Sequence, residues 1–245
     1  MYFRNTVRSA LAPPSPSLRQ TARNVAMGNA AAMDNLDIRP ILRAAPIVPV
    51  VTLERAEDAV PLAEALVAGG LPAIEMTLRT PAGLAAIEQI ASKVKGAIVG
   101  AGTITTPADV TAAKDAGARF GVSPALFPDV IKAAAAAKLP YIPGIMTATE
   151  AMQAVALGCK VVKLFPAEPA GGIKLLKALA GPFPDLLFCP TGGIGPAQAA
   201  DYLRLPNVIA IGGSWMTPAE AIRARDWAAI GKLAAEAASL VRDAA

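Results

Sequence analysis

From residue 47 onward the chain repeats one pattern: a short apolar run, then an alanine-rich stretch long enough for a helix. The runs are IVPVVTL (47–53), LPAIEMTL (71–78), AIVGAGT (97–103), RFGVSP (119–124), YIPGI (141–145), VVKLFP (161–166), LLFCPTGG (186–193) and VIAIGGS (208–214). Their starts are 20 to 26 residues apart. Runs so uniformly apolar indicate strands covered on both faces, hence a parallel sheet with helices outside it. Eight strand–helix units in about 200 residues predict an α/β fold closed as a (β/α)8 barrel. A doubly wound open sheet normally has fewer strands and a glycine-rich turn after the first. Here the first run continues as TLERAEDA, with no such turn.

Helix starts are marked locally. Thr80-Pro81, Thr106-Pro107, Phe127-Pro128-Asp129, Gly195-Pro196 and Thr217-Pro218 place a proline or polar cap where a helix should begin. DNLDIRPILRAA (34–45) reads as an extra N-terminal helix closing the barrel bottom, and 218–245 as the final helices. The expected organisation is a leader over 1–33 and one domain over 34–245.

The leader accounts for the charge. Its 33 residues contain Arg4, Arg8, Arg19 and Arg23 and no acid, so the net +4 of the 245-residue chain falls to zero over the rest. No basic stripe with interleaved aromatics remains, which argues against a nucleic-acid partner. The leader's Arg, Ser, Ala and Pro content suits a disordered tail, an organelle transit segment, or a start placed too early, Met27 and Met33 being alternatives. Hydrophobic residues make up 54%, enough for a large core, yet no apolar run is long enough to span a membrane. A soluble cytoplasmic protein is expected, or an organellar one if the leader is a transit segment.

The absence of histidine narrows the chemistry. With only Cys159 and Cys189, 30 residues apart, no zinc site can be assembled and no metal is expected. Two cysteines without CxxC spacing suit buried thiols in a reducing compartment. General acid–base work is left to Glu, Asp, Lys, Tyr, Cys or water.

Reactive groups in such barrels lie at the C-terminal ends of strands, and phosphate is often held after the last two. Both of those runs end in paired glycines, Gly192-Gly193 and Gly212-Gly213, the second followed by Ser214. Backbone N–H groups at such turns can close on an anion, although tight turns alone also use Gly-Gly. In the second run, alternation puts Glu75, Thr77 and Arg79 on one face. This is either an acid–base carboxylate with a guanidinium clamp for a substrate carboxylate, or a polar layer inside the barrel.

The sixth run poses the sharpest question. Lys163 lies among Val161, Val162, Leu164 and Phe165, where a solvated ammonium is not expected. Burial favours the neutral amine of a lysine, which can attack a carbonyl. Its alternative is a salt bridge to Glu75 serving stability, an arrangement that often contributes little. An inward Lys, a Glu, an Arg and a phosphate cradle together point to Schiff-base chemistry on a small phosphorylated acid.

At these residues the sequence resembles the family of 2-keto-3-deoxy-6-phosphogluconate (KDPG) aldolase and 4-hydroxy-2-oxoglutarate (KHG) aldolase. IEMTLRTP (74–81), VGAGTI (99–104), GARFGVSP (117–124), YIPGI (141–145), VVKLFPAE (161–168), GPFPDLLFCPTGGI (181–194) and IGGSW (211–215) carry the resemblance, in order, over about residues 38–240. It implies a class I aldolase without metal or cofactor, a homotrimer of barrels, yielding pyruvate and glyceraldehyde 3-phosphate in the Entner-Doudoroff pathway. It further implies Lys163 as Schiff-base residue, Glu75 as general acid–base and Arg79 as the carboxylate clamp. Thr103, Thr191 and Phe165 would line the pyruvyl end, and Gly192, Gly193, Gly213 and Ser214 would hold the 6-phosphate. Two departures, Ala125 after Ser123-Pro124 and the GIMTATE continuation of the fifth run, bear on the mouth of the site.

Three other readings remain open at this point. One is the galacto epimer as substrate, with the same mechanism. A second is a sugar-phosphate isomerase or epimerase in which Lys163 is only electrostatic. The third is a non-catalytic barrel that senses an acidic sugar.

Overall fold

The computed structural model describes residues 36–244, so the reading of 1–33 as a leader lies outside the described residues. The strands are β1 (Ile47–Val51), β2 (Ala73–Thr77), β3 (Ile98–Gly102), β4 (Gly121–Val122), β5 (Tyr141–Ile142), β6 (Gly144–Ile145), β7 (Val161–Leu164), β8 (Leu187–Phe188) and β9 (Ile211–Gly213). Every pairing between them is parallel. Six of them run β5-β4-β3-β2-β1-β9, and three run β6-β7-β8. All eight apolar runs therefore contribute strand, in a curled parallel sheet with helices between successive runs.

The fifth run departs from expectation by splitting in two. Pro143 stands between β5 and β6 and has no N–H to give to a ladder. Its carbonyl still accepts from the Lys163 N–H at 2.8 Å. One run thus serves two neighbours: β5 pairs with β4 and β6 with β7. The last two runs are also shorter as strands than their apolar length suggested. Isolated parallel bridges, Phe188 to Val208 and Thr191 to Gly212, link them instead.

Thr106 caps its helix as the sequence indicates, and Thr147, which the sequence reading did not single out, does the same. Thr106 and Thr147 each accept from the backbone three residues on, while Asp109 and Glu150 reach back, forming capping boxes before Pro107–Asp115 and Ala148–Ala156. Val, Ile, Leu and Ala of the helices pack on the outer faces of the strands, in one large cluster that includes Leu62, Ile87, Val110, Ala154, Leu176 and Ala199.

A second cluster lies inside the curl. It joins Val48, Ala73, Phe120, Val122, Ile142, Val161, Cys189 and Ala210, one or two residues from nearly every run, to Ile38 and Leu42. Leu42 belongs to the helix α1 (Arg39–Ala44), which is shorter than the 34–45 read from sequence. It starts late because Asp37 takes the Arg39 N–H at 2.9 Å and Pro40 fills the first turn. Leu42 is fully buried. Leu42→Ala should therefore destabilise the fold by about 2–5 kcal/mol in urea titration, the cost of an unfilled core site. A loss under about 1 kcal/mol would mean that α1 is not anchored there.

Candidate active site

β7 delivers Lys163 and β2 delivers Glu75, both to the interior of the curl. The Lys163 Nζ lies 3.0 Å from Glu75 Oε1 and 3.4 Å from Oε2. Each side chain is only 5% exposed. Burying two charges is costly, and their mutual attraction repays it only in good geometry. Glycine makes that geometry possible. Gly102 is aligned with Thr77 on β2, and a Cβ there would strike the Glu75 carboxylate. Gly100, two residues earlier, likewise leaves room for the Phe120 ring. The GAG of the third run thus makes room for Glu75, a relation that only the pairing of β2 with β3 reveals.

Beyond Lys163 opens a cavity of about 390 Å³. Its wall includes Arg79, Phe165, Thr191, Gly192, Gly193, Gly213 and Ser214, together with Lys163 itself. Eight of the ten residues proposed from sequence meet there. Glu75 stands behind Lys163, and Thr103 stands behind Arg79, whose Nε donates to Thr103 Oγ1 at 3.3 Å. Arg79 is not in β2 as alternation placed it, since the strand ends at Thr77 and the next residues turn. It is exposed at the cavity mouth, where a guanidinium can meet an incoming carboxylate.

Thr103 has φ of 62°, a left-handed conformation rare for a β-branched residue. Such strain costs about 1–3 kcal/mol and tends to be held at working sites. Phe165 places its ring centroid 5.3 Å from the Lys163 Nζ, an additional attraction for a cation. Thr191 occupies the floor because Gly212 opposite has no side chain to fill that space.

Sequence reasoning missed Thr52 and Thr217, both on the cavity wall. Thr52 follows β1 directly, at the C-terminal strand end where reactive groups gather, and its Oγ1 lies 2.7 Å from that of Thr77. Its position could have been noted. Thr217 was read only as a helix cap. Ala125 and Met146, at the two departures from the family pattern, do not line the cavity.

The lip of the cavity is formed by Pro218, Ala219 and Ile222, in and before the helix Ala219–Ala224. Its far end is tied down by Arg225, whose Nε lies 2.9 Å from Asp58 Oδ1. Asp58 also meets Arg55 at 2.8 Å, so the buried carboxylate is satisfied from both sides.

Other candidate nucleophiles are poorly placed. Burial pushes the Cys189 thiol up to about 12, the nearby Lys163 ammonium acting against that rise. Burial likewise raises Cys159 to about 11 and Tyr141 to about 12. All three therefore remain protonated at neutral pH, and none is an activated nucleophile. Among the described residues no three His, Cys, Asp or Glu side chains are grouped to hold a metal ion.

Residues 38–233 match the family of KDPG and KHG aldolases. The chain belongs to that family. It is 50% identical over 197 residues to the KHG/KDPG aldolase of Escherichia coli, covering 80% of this chain and 92% of that one. A KDPG aldolase of Zymomonas mobilis, solved with 3-phosphoglycerate, superimposes with a TM-score of 0.80 at 45% identity, over 85% of this chain and 98% of that one. The KDPG aldolase of Legionella pneumophila superimposes with a TM-score of 0.79 at 42% identity, over 81% and 97%. That protein was captured with pyruvate as a covalent carbinolamine.

Proposed function

We propose that this protein is a class I aldolase that cleaves KDPG to pyruvate and glyceraldehyde 3-phosphate and also acts on KHG. The observation that carries this reading is the buried Lys163–Glu75 pair at the end of a cavity whose other wall is Gly192, Gly193, Gly213 and Ser214. An amine that must lose a proton, a carboxylate within reach of that proton, and an anion-binding end are what imine chemistry on a phosphorylated keto acid requires.

Lys163 Nζ attacks the C2 carbonyl, and Glu75, directly or through water, relays protons as the carbinolamine loses water. The iminium then accepts electrons. Removal of the C4 hydroxyl proton breaks the C3–C4 bond, releasing glyceraldehyde 3-phosphate and leaving an enamine. Protonation at C3 and hydrolysis give pyruvate and free Lys163. Arg79 at the carboxylate and Gly192, Gly193, Gly213 and Ser214 at the phosphate hold both ends of the substrate. Binding energy at the ends thus acts on the bond in the middle. Thr103 holds Arg79 in place, and Phe165 and Thr191 flank the pyruvyl group.

The test is to add borohydride to the protein with pyruvate and map the adduct by peptide mass spectrometry. A reduced pyruvyl group on Lys163 is expected. Unmodified Lys163 in folded protein would turn the assignment toward the isomerase reading. Assays on KDPG and its galacto epimer then rank the two substrates. A KDPGal structure is 26% identical, well below the 45% of the Zymomonas mobilis KDPG aldolase, which favours KDPG.

The same reading extends to the scaffold. We infer an eight-stranded barrel within a single domain over 34–245, with α1 plugging its bottom. The strand pairings, the two bridges and the cluster around Leu42 support it. We also infer a cytoplasmic homotrimer. Phe127, Met146, Met152 and Val155 are large apolar side chains with 49–65% exposure, and Met152 and Val155 share one helix face. Light scattering should give three chain masses, and Met152→Glu should shift that mass downward. A monomer for the unaltered protein would refute the interface.

A further inference from the structure

The loop that ends in Gly192-Gly193 is held from behind by groups that never reach the cavity. A short helix, Ala167–Ala170, follows β7 and ends the KLFPAE segment. Its first amides take the loop carbonyls: Ala167 N–H donates to Thr191 O at 2.8 Å, and Glu168 N–H to Gly192 O at 3.0 Å. The Glu168 side chain lies so close to Gly193 that a Cβ there would come within 2.7 Å of Glu168 Cβ. Gly193 also has φ of +85°, a conformation that only glycine adopts readily.

The Glu168 carboxylate is itself fixed. Tyr202, fully buried on the helix Pro196–Leu203 that follows the glycine loop, donates its hydroxyl to Glu168 Oε1. Burial and that carboxylate both raise the Tyr202 hydroxyl, so it stays a donor at neutral pH. Space for the pair is reserved at Gly172, where a Cβ would come within 2.6 Å of the Tyr202 oxygen and 2.9 Å of Glu168 Oε1. The loop is therefore clamped between the element before it and the helix after it, with one hydrogen bond joining the two.

We propose that Glu168 and Tyr202 are positioning residues that set the Gly192-Gly193 loop for the substrate phosphate. The proposal rests on the aldolase reading and on that loop as its phosphate end. Neither side chain lines the cavity. They act through backbone placement, and so on phosphorylated substrates alone. A phosphate held by several backbone amides is sensitive to small shifts of the loop, because each donor must keep its direction. The carboxylate-bearing end of the substrate, 4-hydroxy-2-oxoglutarate included, depends on other elements.

The experiment is steady-state kinetics with KDPG and KHG side by side on unaltered protein, Tyr202→Phe, Glu168→Ala and Glu168→Gln. Tyr202→Phe keeps the ring and removes one hydrogen bond, so the KM for KDPG should rise about fivefold, the range for one such bond. The kcat and the KM for KHG should stay unchanged. Glu168→Ala should behave alike, and as an exposed position it serves if Tyr202→Phe does not fold. Glu168→Gln keeps an acceptor for Tyr202 and should stay near the unaltered value. The inhibition constant of inorganic phosphate should rise in parallel with the KM for KDPG.

A KM for KDPG that is unchanged, or that rises together with that for KHG, overturns the positioning role. Failure of the unaltered protein to form the borohydride adduct with pyruvate would instead strike the aldolase reading. Equal KM values for KDPG and KHG in unaltered protein would strike the phosphate end. Either result removes the proposal with its foundation.

Discussion

Lys163→Met should show no measurable cleavage of KDPG, a loss of at least about 10⁴-fold in kcat, in line with removal of a nucleophile elsewhere. Methionine matches the length and apolar setting of the lysine stem, which Val161, Val162 and Leu164 already require, so the sheet should survive. Circular dichroism would confirm this. In the proposed mechanism what is lost is the amine that attacks C2, and with it the borohydride-trapped adduct. Lys163→Arg should be equally inactive, since a guanidinium does not give up its proton. Wild-type turnover in either variant would disprove the Schiff-base assignment.

Glu75→Gln should lower kcat by about 10²- to 10⁴-fold, the usual contribution of a placed general acid–base group. Glutamine retains the shape and one acceptor for Lys163 Nζ at the present 3.0 Å contact, so the substitution separates proton transfer from packing. Adduct formation with pyruvate should slow in step with kcat, because carbinolamine dehydration needs the same relay. The buried ammonium then has no counter-charge, and the melting temperature should fall as well. A kcat within about threefold of the unaltered enzyme would reassign the relay to water or to another group.

Much of this site was legible in the sequence because its chemistry breaks a local rule. A lysine in an apolar strand and a glutamate at the second strand are conspicuous against runs that are otherwise uniformly hydrophobic. Paired glycines at the ends of the last two runs stand out in the same way, since glycine is chosen where a backbone must turn or be approached closely. Other features carried no such mark. Thr52 is an ordinary threonine at a strand end. Gly102 looks like one more small residue in a strand, yet it leaves room for the Glu75 carboxylate. Tyr202 reads as a core aromatic on a helix, with nothing nearby in sequence to name Glu168 as its partner.

The fold shows the same division. Periodicity placed the eight runs, and Thr106-Pro107 placed a helix start, because these signals act within a few residues. Run length did not give strand length, since a residue becomes strand only if a neighbour across the sheet pairs with it. Pro143 divides the fifth run because β4 lies on one side and β7 on the other.

From the sequence alone came the number and order of strand–helix units, the family resemblance and the candidate pair Lys163 and Glu75, all properties of residue type and spacing. The tertiary structure decided that Lys163 and Glu75, 88 residues apart, lie 3.0 Å from each other, and that Glu168 and Tyr202 brace the glycine loop. Those contacts depend on how the sheet curls, a cooperative outcome of packing that no local window of sequence contains.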